Sequence, residues 1–273
     1  MIILFPHKLG QLKNGIQNTP LYFKKIFYDK SHIVKCNNKH SNYSIKYFNI
    51  VRNLRKLYNS NILFDKNKIN IGGDHSMSIA TVADSLNRTK EGELKVLWFD
   101  AHADINTIRS SRTKNFHGMP LSYLTGITYN RDFSFIVNNL HFDNLMYIGI
   151  RKLDRFEKKI IQNYNIKYIS CDEINNHTDK SIEKILNFID ENPLHISFDV
   201  DCLDPKIMPC TGTTVSNGLK LESTKKILDS IENTNIINMD ITELNLELGS
   251  SHDREISIKN LFYLFNKYFS KLY

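Results

Sequence analysis

The sequence lacks the features that mark several whole classes of protein. Its 273 residues contain four cysteines, Cys36, Cys171, Cys202 and Cys210, and no two of them form a C-x-x-C pair. That spacing argues against a thiolate zinc module and a disulfide-stapled domain. No run of 18 apolar residues occurs, which excludes a helical membrane span. No basic block of five residues and no arginine-rich run occurs either. The net charge of +7 comes from 27 lysines and nine arginines scattered among many Asn and Ile residues. Without aromatic residues interleaved along a basic stripe, this charge points away from nucleic acid. Residues 1–10 form a short apolar start broken by Pro6, which reads as a first strand rather than a signal peptide. Free thiols in a reducing cytoplasmic setting are the expectation.

What is present is an ordinary globular composition, 41% hydrophobic and 24% charged, with apolar residues enough for a sizeable core. Short β-branched or aromatic runs recur at 2–5, 69–71, 96–99, 145–150, 166–170, 195–199 and 236–241. Runs apolar on both faces suit a parallel sheet covered by helices on either side. Helical spacing appears between them at 78–86, 181–192, 222–232 and 256–269, the second led by Thr178 and Asp179 as a cap. The alternation predicts one α/β domain over 1–273. Residues 30–47 and 126–144 show no period and read as surface connections.

Acids and histidines gather at the carboxyl ends of four runs, where charge is costly to bury unless it meets a cation or an opposite charge. The run at 69–71 leads into Gly72-Gly73-Asp74-His75-Ser76. Two glycines permit a tight turn that presents His75, while Asp74 or Ser76 can cap the helix that follows. After 96–99 comes Asp100-Ala101-His102-Ala103-Asp104. In an extended chain residues i, i+2 and i+4 share a face, so two carboxylates and an imidazole are expected to point together. That donor set suits Mn, Fe, Co or Zn rather than a thiolate site. Asp199 and Asp201 end the run at 195–199 in the same alternation, like charges that repel without a cation between them. The fourth end, Asp240-Ile241-Thr242-Glu243, is acidic again, with Asp240 reading equally as a cap or a pairing residue. In a parallel sheet the carboxyl ends lie along one edge, where ligands bind. His75, Asp100, His102, Asp104, Asp199, Asp201 and Glu243 are then expected to converge, which is more than one ion needs. Two ions roughly 3.5–4 Å apart, sharing carboxylates and lowering the pKa of a water between them, is the natural reading.

These segments resemble the motifs of the arginase/agmatinase (ureohydrolase) family. GGDHS (72–76), DAHAD (100–104) and SFDVDCLDP (197–205) stand in the family's order and at suitable spacing. TGTTVSNGL (211–219) and MDITELN (239–245) resemble its next two landmarks, and FPHKLGQLKNG (5–15) is a weaker echo of its N-terminal loop. The resemblance covers nearly the whole chain. It implies a single α/β domain with a mostly parallel eight-stranded sheet, assembled as homotrimers or homohexamers. It implies two Mn(II) ions per subunit, one on His75, Asp100, Asp104 and Asp199, the other on His102, Asp100, Asp199 and Asp201, with Asp100 and Asp199 bridging.

The resemblance also implies hydrolysis of a guanidino substrate. The loop after Asp104 is most similar to arginases, in which Asn106, Thr113 and Asn115 would grip the α-carboxylate of L-arginine. Agmatine has no such carboxylate; it and other guanidino or formimino compounds are the alternative substrates within the family, and a catalytically silent metal-binding relative is the remaining alternative. Asp154 and Glu157 match residues that contact the α-amino group. Thr213 matches one near the guanidinium, and Glu243 the carboxylate that pairs with it. Asp104 and His117 would carry protons, the first to the leaving amine and the second between site and solvent. Two departures stand out: Lys152 replaces a common acid, and Asn245-Leu246 replaces a frequent Asn-Pro.

Overall fold

The computed structural model describes residues 1–64 and 67–271. Among these, eight strands form one sheet: β1 (Ile2–Phe5), β2 (Ser31–Ile33), β3 (Lys68–Gly72), β4 (Lys95–Phe99), β5 (Leu145–Ile148), β6 (Lys167–Ile169), β7 (Leu194–Asp199) and β8 (Ile236–Thr242). Their spatial order is β2-β1-β3-β8-β7-β4-β5-β6, and every neighbouring pair is parallel. The helices are α1 (Thr19–Ile26), α2 (Tyr43–Leu63), α3 (Ser78–Arg88), α4 (Pro120–Leu124), α5 (Arg155–Asn163), α6 (Cys171–Asn176), α7 (Thr178–Ile189), α8 (Leu221–Ile231) and α9 (Ser251–Ser270).

Strand alternation divides the core in two. Leu97 and Phe99 of β4 pack with Phe198 and Ile241 against Phe23 of α1, Ile185 of α7, Ile227 of α8 and Phe265 of α9. Val96 and Trp98 pack with Ile3, Phe5 and Tyr147 against Leu54 of α2, Val82 of α3, Leu121 of α4 and Ile161 of α5. With both faces covered, the strands need no polar side, which is why they read as continuous apolar runs.

The structure departs from the sequence reading in definite places. β5 stops at Ile148 because Gly149 takes φ +89°, although its N–H still donates to the Ile169 carbonyl. Residues 30–47 are not irregular throughout: β2 pairs with β1, and α2 begins at Tyr43 under an Asn42 side-chain cap. The inner face of α2 buries Ile50, Leu54 and Leu57 together with Asn49, Asn53 and Asn61. Those asparagines are satisfied internally: Asn53 exchanges bonds with the Asn37 main chain, and Asn61 Nδ2 donates to Asn70 Oδ1. Buried asparagine erases the apolar period that announces a helix. Thr178 and Asp179 lie within the first turn of α7 rather than before it. Residues 126–144 form only single 3-10 turns, at Arg131–Phe133 and Phe142–Asn144, yet they bury Phe133, Phe135 and Leu140 and so belong partly to the core.

Candidate active site

The sheet order sets β3, β8, β7 and β4 side by side, so the four acidic ends meet along one edge. His75 opens a 3-10 turn after β3, Asp199 ends β7, Asp201 sits in the turn Val200–Cys202, and Glu243 follows β8. Glycine is required before His75 by close approach: a Cβ on Gly73 would lie 1.7 Å from the His7 carbonyl oxygen. Asp74 does cap this turn, accepting from the Ser76 N–H at 3.1 Å, and it also holds the N-terminal loop through the Gly10 N–H at 2.8 Å.

The acids converge by turns rather than by the pleat of a strand. Asp100 Oδ1 accepts from the His102 N–H at 2.7 Å, and Asp199 Oδ1 from the Asp201 N–H at 2.8 Å. Each is an aspartate turning the chain back on itself as the strand ends. Asp104 and Glu243 adopt φ of +48° and +62°, strain of the kind retained at functional sites. In consequence His75 Nδ1 faces Asp100 Oδ2 at 3.1 Å, Asp104 Oδ2 at 3.1 Å and Asp199 Oδ2 at 3.2 Å. His102 Nδ1 faces Asp201 Oδ2 at 3.1 Å and Asp100 Oδ1 at 3.4 Å. Asp100 serves both groups with one oxygen each.

This donor set fits divalent metal. His75 Nε2 lies 2.8 Å from Ser197 Oγ, while the buried Nδ1 has no hydrogen-bond partner. Without metal, burial lowers the His75 pKa, but the three carboxylates raise it well above its usual value. A metal on Nδ1 would displace the proton there and leave the other on Nε2, toward Ser197 Oγ. Four carboxylates against two imidazoles leave a negative excess even with both rings protonated. Burial, and then the Asp100 charge, push Asp104 up to about 6. Burial with the charges of Asp201 and Asp100 holds Asp199 well above the usual carboxylate range. His75, Asp100 and Asp104 form one group, and Asp100, His102 and Asp201 another, with ligand atoms within 4.8 Å of one another in each. Oxygen and nitrogen donors without thiolate suit hard or borderline ions.

The surroundings hold these side chains in place. Trp98 Nε1 donates to Asp100 Oδ2 at 3.0 Å, and its ring stacks on His75 at 4.3 Å. The Ala101 N–H and Thr213 Oγ1 donate to Asp201 at 3.1 and 2.9 Å. Sequence reasoning passed over Arg151, whose guanidinium donates to the carbonyls of Gly149, Asp201, Cys202, Leu203, Val215 and Ser216. It clamps the loop carrying Asp201 to the loop carrying Thr213. Arg151→Ala should cost about 2–4 kcal/mol, read as a lower denaturation midpoint, because so many carbonyls lose their donor. Lysine there should restore only part of the loss, having no planar fork. An unchanged midpoint would remove Arg151 from the scaffold.

Glu243 lies behind the floor, its Oε1 accepting from the His75 N–H at 2.8 Å and lying 3.1 Å from His117 Nδ1. Burial lowers the His117 pKa, but the bond and charge of Glu243, then Asp104, outweigh it and push the ring up to about 9. Above the floor opens a cavity of about 1080 Å³. His102, Asp104, Asp199 and His117 reach it from below, and Asn106, Thr113, Asp154, Glu157 and Thr213 from its walls. Asn115 is not in this lining; it sits at the start of the 3-10 turn Phe116–Gly118. Asp154 and Glu157 have a second task that their sequence did not reveal, since together they form the capping box of α5.

The sequence profile of the Arginase family matches residues 7–263. The chain belongs to the arginase family. An arginase of Neurospora crassa is 36% identical over 216 residues, covering 75% of this chain and 60% of the relative, so the match spans well under two thirds of that protein's length. An arginase of Entamoeba histolytica is 31% identical over 280 residues, 95% of this chain and 93% of the relative. The crystal structure of Entamoeba histolytica arginase in complex with L-ornithine aligns with a TM-score of 0.88 at 27% identity, covering 97% of this chain and 96% of that one. The arginase-family assignment and the arginase-like α/β fold expected from the motifs both hold. Among the described residues, no helix is long and apolar enough to cross a membrane.

Proposed function

We propose that this arginase-family chain, acting as one unit over 1–273, hydrolyses the guanidinium group of L-arginine to L-ornithine and urea with two Mn(II) ions per subunit. The observation that carries the reading is the unpaired His75 Nδ1 among three carboxylates, beside the Asp100, His102 and Asp201 group, at the floor of a large polar cavity. The relative seen with L-ornithine supports the choice of substrate. His75, Asp100, Asp104 and Asp199 would hold one ion, and His102, Asp100, Asp199 and Asp201 the other. Bound there, the ions supply Lewis-acid activation of water, whose pKa falls toward neutrality.

The water oxygen joins the guanidinium carbon, the bond from that carbon to the substrate's Nε breaks, and this nitrogen leaves as the amine with one water proton, the second completing its ammonium. Asp104, which reaches the cavity, is placed to pass the first of these on. His117, half-buried at the cavity wall, exchanges protons with solvent. By the family resemblance Glu243 would supply the charge that complements the guanidinium from behind the floor, where it is buried and outside the cavity lining, and Thr213, which does line the cavity, would stand near that group. Asn106 and Thr113, with Asn115, would serve the α-carboxylate, and Asp154 and Glu157 the α-amino group. The chain's thiols are all free, which supports a reducing cytoplasmic setting. Assembly as a homotrimer or homohexamer completes the reading and is checked by light scattering.

The test is urea release from the Mn(II)-loaded protein, with L-arginine and agmatine compared side by side. Urea from L-arginine, matched by ornithine, is the expected result. Urea from agmatine alone would retire the arginine assignment and retain the metal site. Urea from neither, with two ions bound, would leave another guanidino or formimino compound as substrate.

A further inference from the structure

One buried carboxylate close to the site has no task in the chemistry above. Asp240 lies within β8 and is fully buried. Its cross-strand neighbours are Ser197 of β7 on one side and Asn70 of β3 on the other. Ile196 and Phe198 flank Ser197, Met239 and Ile241 flank Asp240, and all four face the opposite layer of the core. A small polar floor is thereby left under the first turn of α3, which places Ser78 and Thr81 over it.

The contacts around Asp240 run in one direction. Ser78 Oγ donates to Asp240 Oδ2 at 2.9 Å, Thr81 Oγ1 donates to the same oxygen, and Asn70 Nδ2 donates to Oδ1 at 3.0 Å. His195 Nε2 lies 3.2 Å from Oδ2. A carboxylate only accepts, and a serine hydroxyl has a single proton to give. Ser78 gives its proton to Asp240, so toward Ser197 Oγ, 3.2 Å away, it accepts. Ser197 then gives its proton to Ser78, so toward His75 Nε2, 2.8 Å away, Ser197 also accepts. Three successive bonds thus run from His75 through two buried hydroxyls to one carboxylate.

We infer that Asp240 is a positioning residue for the metal site: through Ser78 and Ser197 it keeps the His75 proton on Nε2, so that Nδ1 is the atom offered to metal. Metal-bound imidazoles usually meet a carboxylate or carbonyl directly, which sets their orientation and basicity. Here two serines carry that influence across the gap between the strands. The inference rests on the metal-site part of the proposed function and gives a task to residues which that reading left without one. It concerns His75 alone, since His102 faces Asp201 and Asp100 from the cavity side.

That selectivity is the test. Mn(II) affinity is measured by calorimetry for Ser78→Ala, Ser197→Ala and Asp240→Asn in three backgrounds: the otherwise wild-type chain, His102→Ala and His75→Ala. Asp240→Asn keeps the shape but adds an N–H donor, so the direction of the bonds is no longer dictated. The serine variants remove one hydroxyl each and carry the test if Asp240→Asn does not fold. In the wild-type background and in His102→Ala, where the His75 group remains, each substitution should weaken Mn(II) binding by about 10–100-fold. In His75→Ala the same substitutions should change the affinity of the remaining ion by no more than about twofold, the scatter of independent sites. Ser197→Thr, which keeps the hydroxyl, should bind more tightly than Ser197→Ala. Equal losses in the His75→Ala and His102→Ala backgrounds, or no loss in His102→Ala, would overturn the proposal while leaving the metal site in place. A wild-type chain that binds no Mn(II) would overturn the metal site and the relay together.

Discussion

His102→Ala should lower the manganese content from two ions per chain toward one and reduce urea release to background. The substitution removes the imidazole nitrogen that faces Asp201 Oδ2 and Asp100 Oδ1, which then oppose each other as carboxylates. Loss of an orienting group around a metal typically costs 10–100-fold in affinity, so loss of a ligand itself should exceed about 100-fold. Trp98→Phe is the graded comparison. It deletes only the Nε1–H on Asp100 and should fall within that range while both ions still bind at saturating manganese. Acid should act in the same direction as His102→Ala. In the metal-free chain His102 is subject to burial, which lowers its pKa, yet the Asp201 charge and the Asp100 bond push it up to about 12. Asp104 sits at about 6. Burial lowers the His75 pKa too, yet the carboxylates around it hold it well above the usual imidazole value. Metal uptake near neutrality must therefore expel protons from His75 and His102, with Asp199 and, below about pH 6, Asp104 adding to the release. Calorimetry in buffers of different ionisation enthalpy reads those protons directly. Two ions retained in His102→Ala with full turnover, or metal binding without proton release, would sink the assignment of this group.

The floor of the site was legible because its chemistry conflicts with its setting. Asp100 follows β4, Asp199 ends β7 and Asp240 lies within β8, all beside buried apolar residues, and buried charge there demands a partner. For Asp240 that partner is not metal: Ser78, Thr81, Asn70 and His195 all bond it behind the sheet. Residue types alone did not separate the two outcomes. The route of convergence was misread as well, since a pleat can align Asp100, His102 and Asp104 only while the strand continues, and it ends at Phe99. What composition hid was polar structure doing core work. The asparagines of α2 look like surface residues until Asn37, Asn70 and the main chain are brought against them by distant segments. α5 is short and strongly charged, and its decisive signal is a capping box made of the two acids first read as substrate contacts. Arg151 carried no motif of its own; its role exists only once loops from three regions of the chain lie within reach of one guanidinium.

His117→Asn should slow turnover by about 100-fold or more while leaving both ions bound, the usual contribution of a positioned proton carrier. The ring lines the cavity and bonds Glu243, but it touches none of the nitrogen or oxygen atoms assigned to metal. Glu243→Gln separates its two tasks. Losing the carboxylate removes the charge that complements a guanidinium, so KM should rise. It also removes the largest influence holding the His117 pKa up against burial, so the arm of the pH profile set by His117 should move to lower pH. The sign follows from the ring itself: a nearby anion favours imidazolium, and without it the proton leaves sooner. Gln can still accept from the His75 N–H through its amide oxygen, so the floor should persist and metal stoichiometry should stay at two. Wild-type rates in His117→Asn would return that residue to a structural role. A metal-depleted Glu243→Gln would show that the carboxylate supports the ligand His75 rather than the substrate. With metal intact, a raised KM together with the acid-shifted profile would place Glu243 between guanidinium and proton carrier.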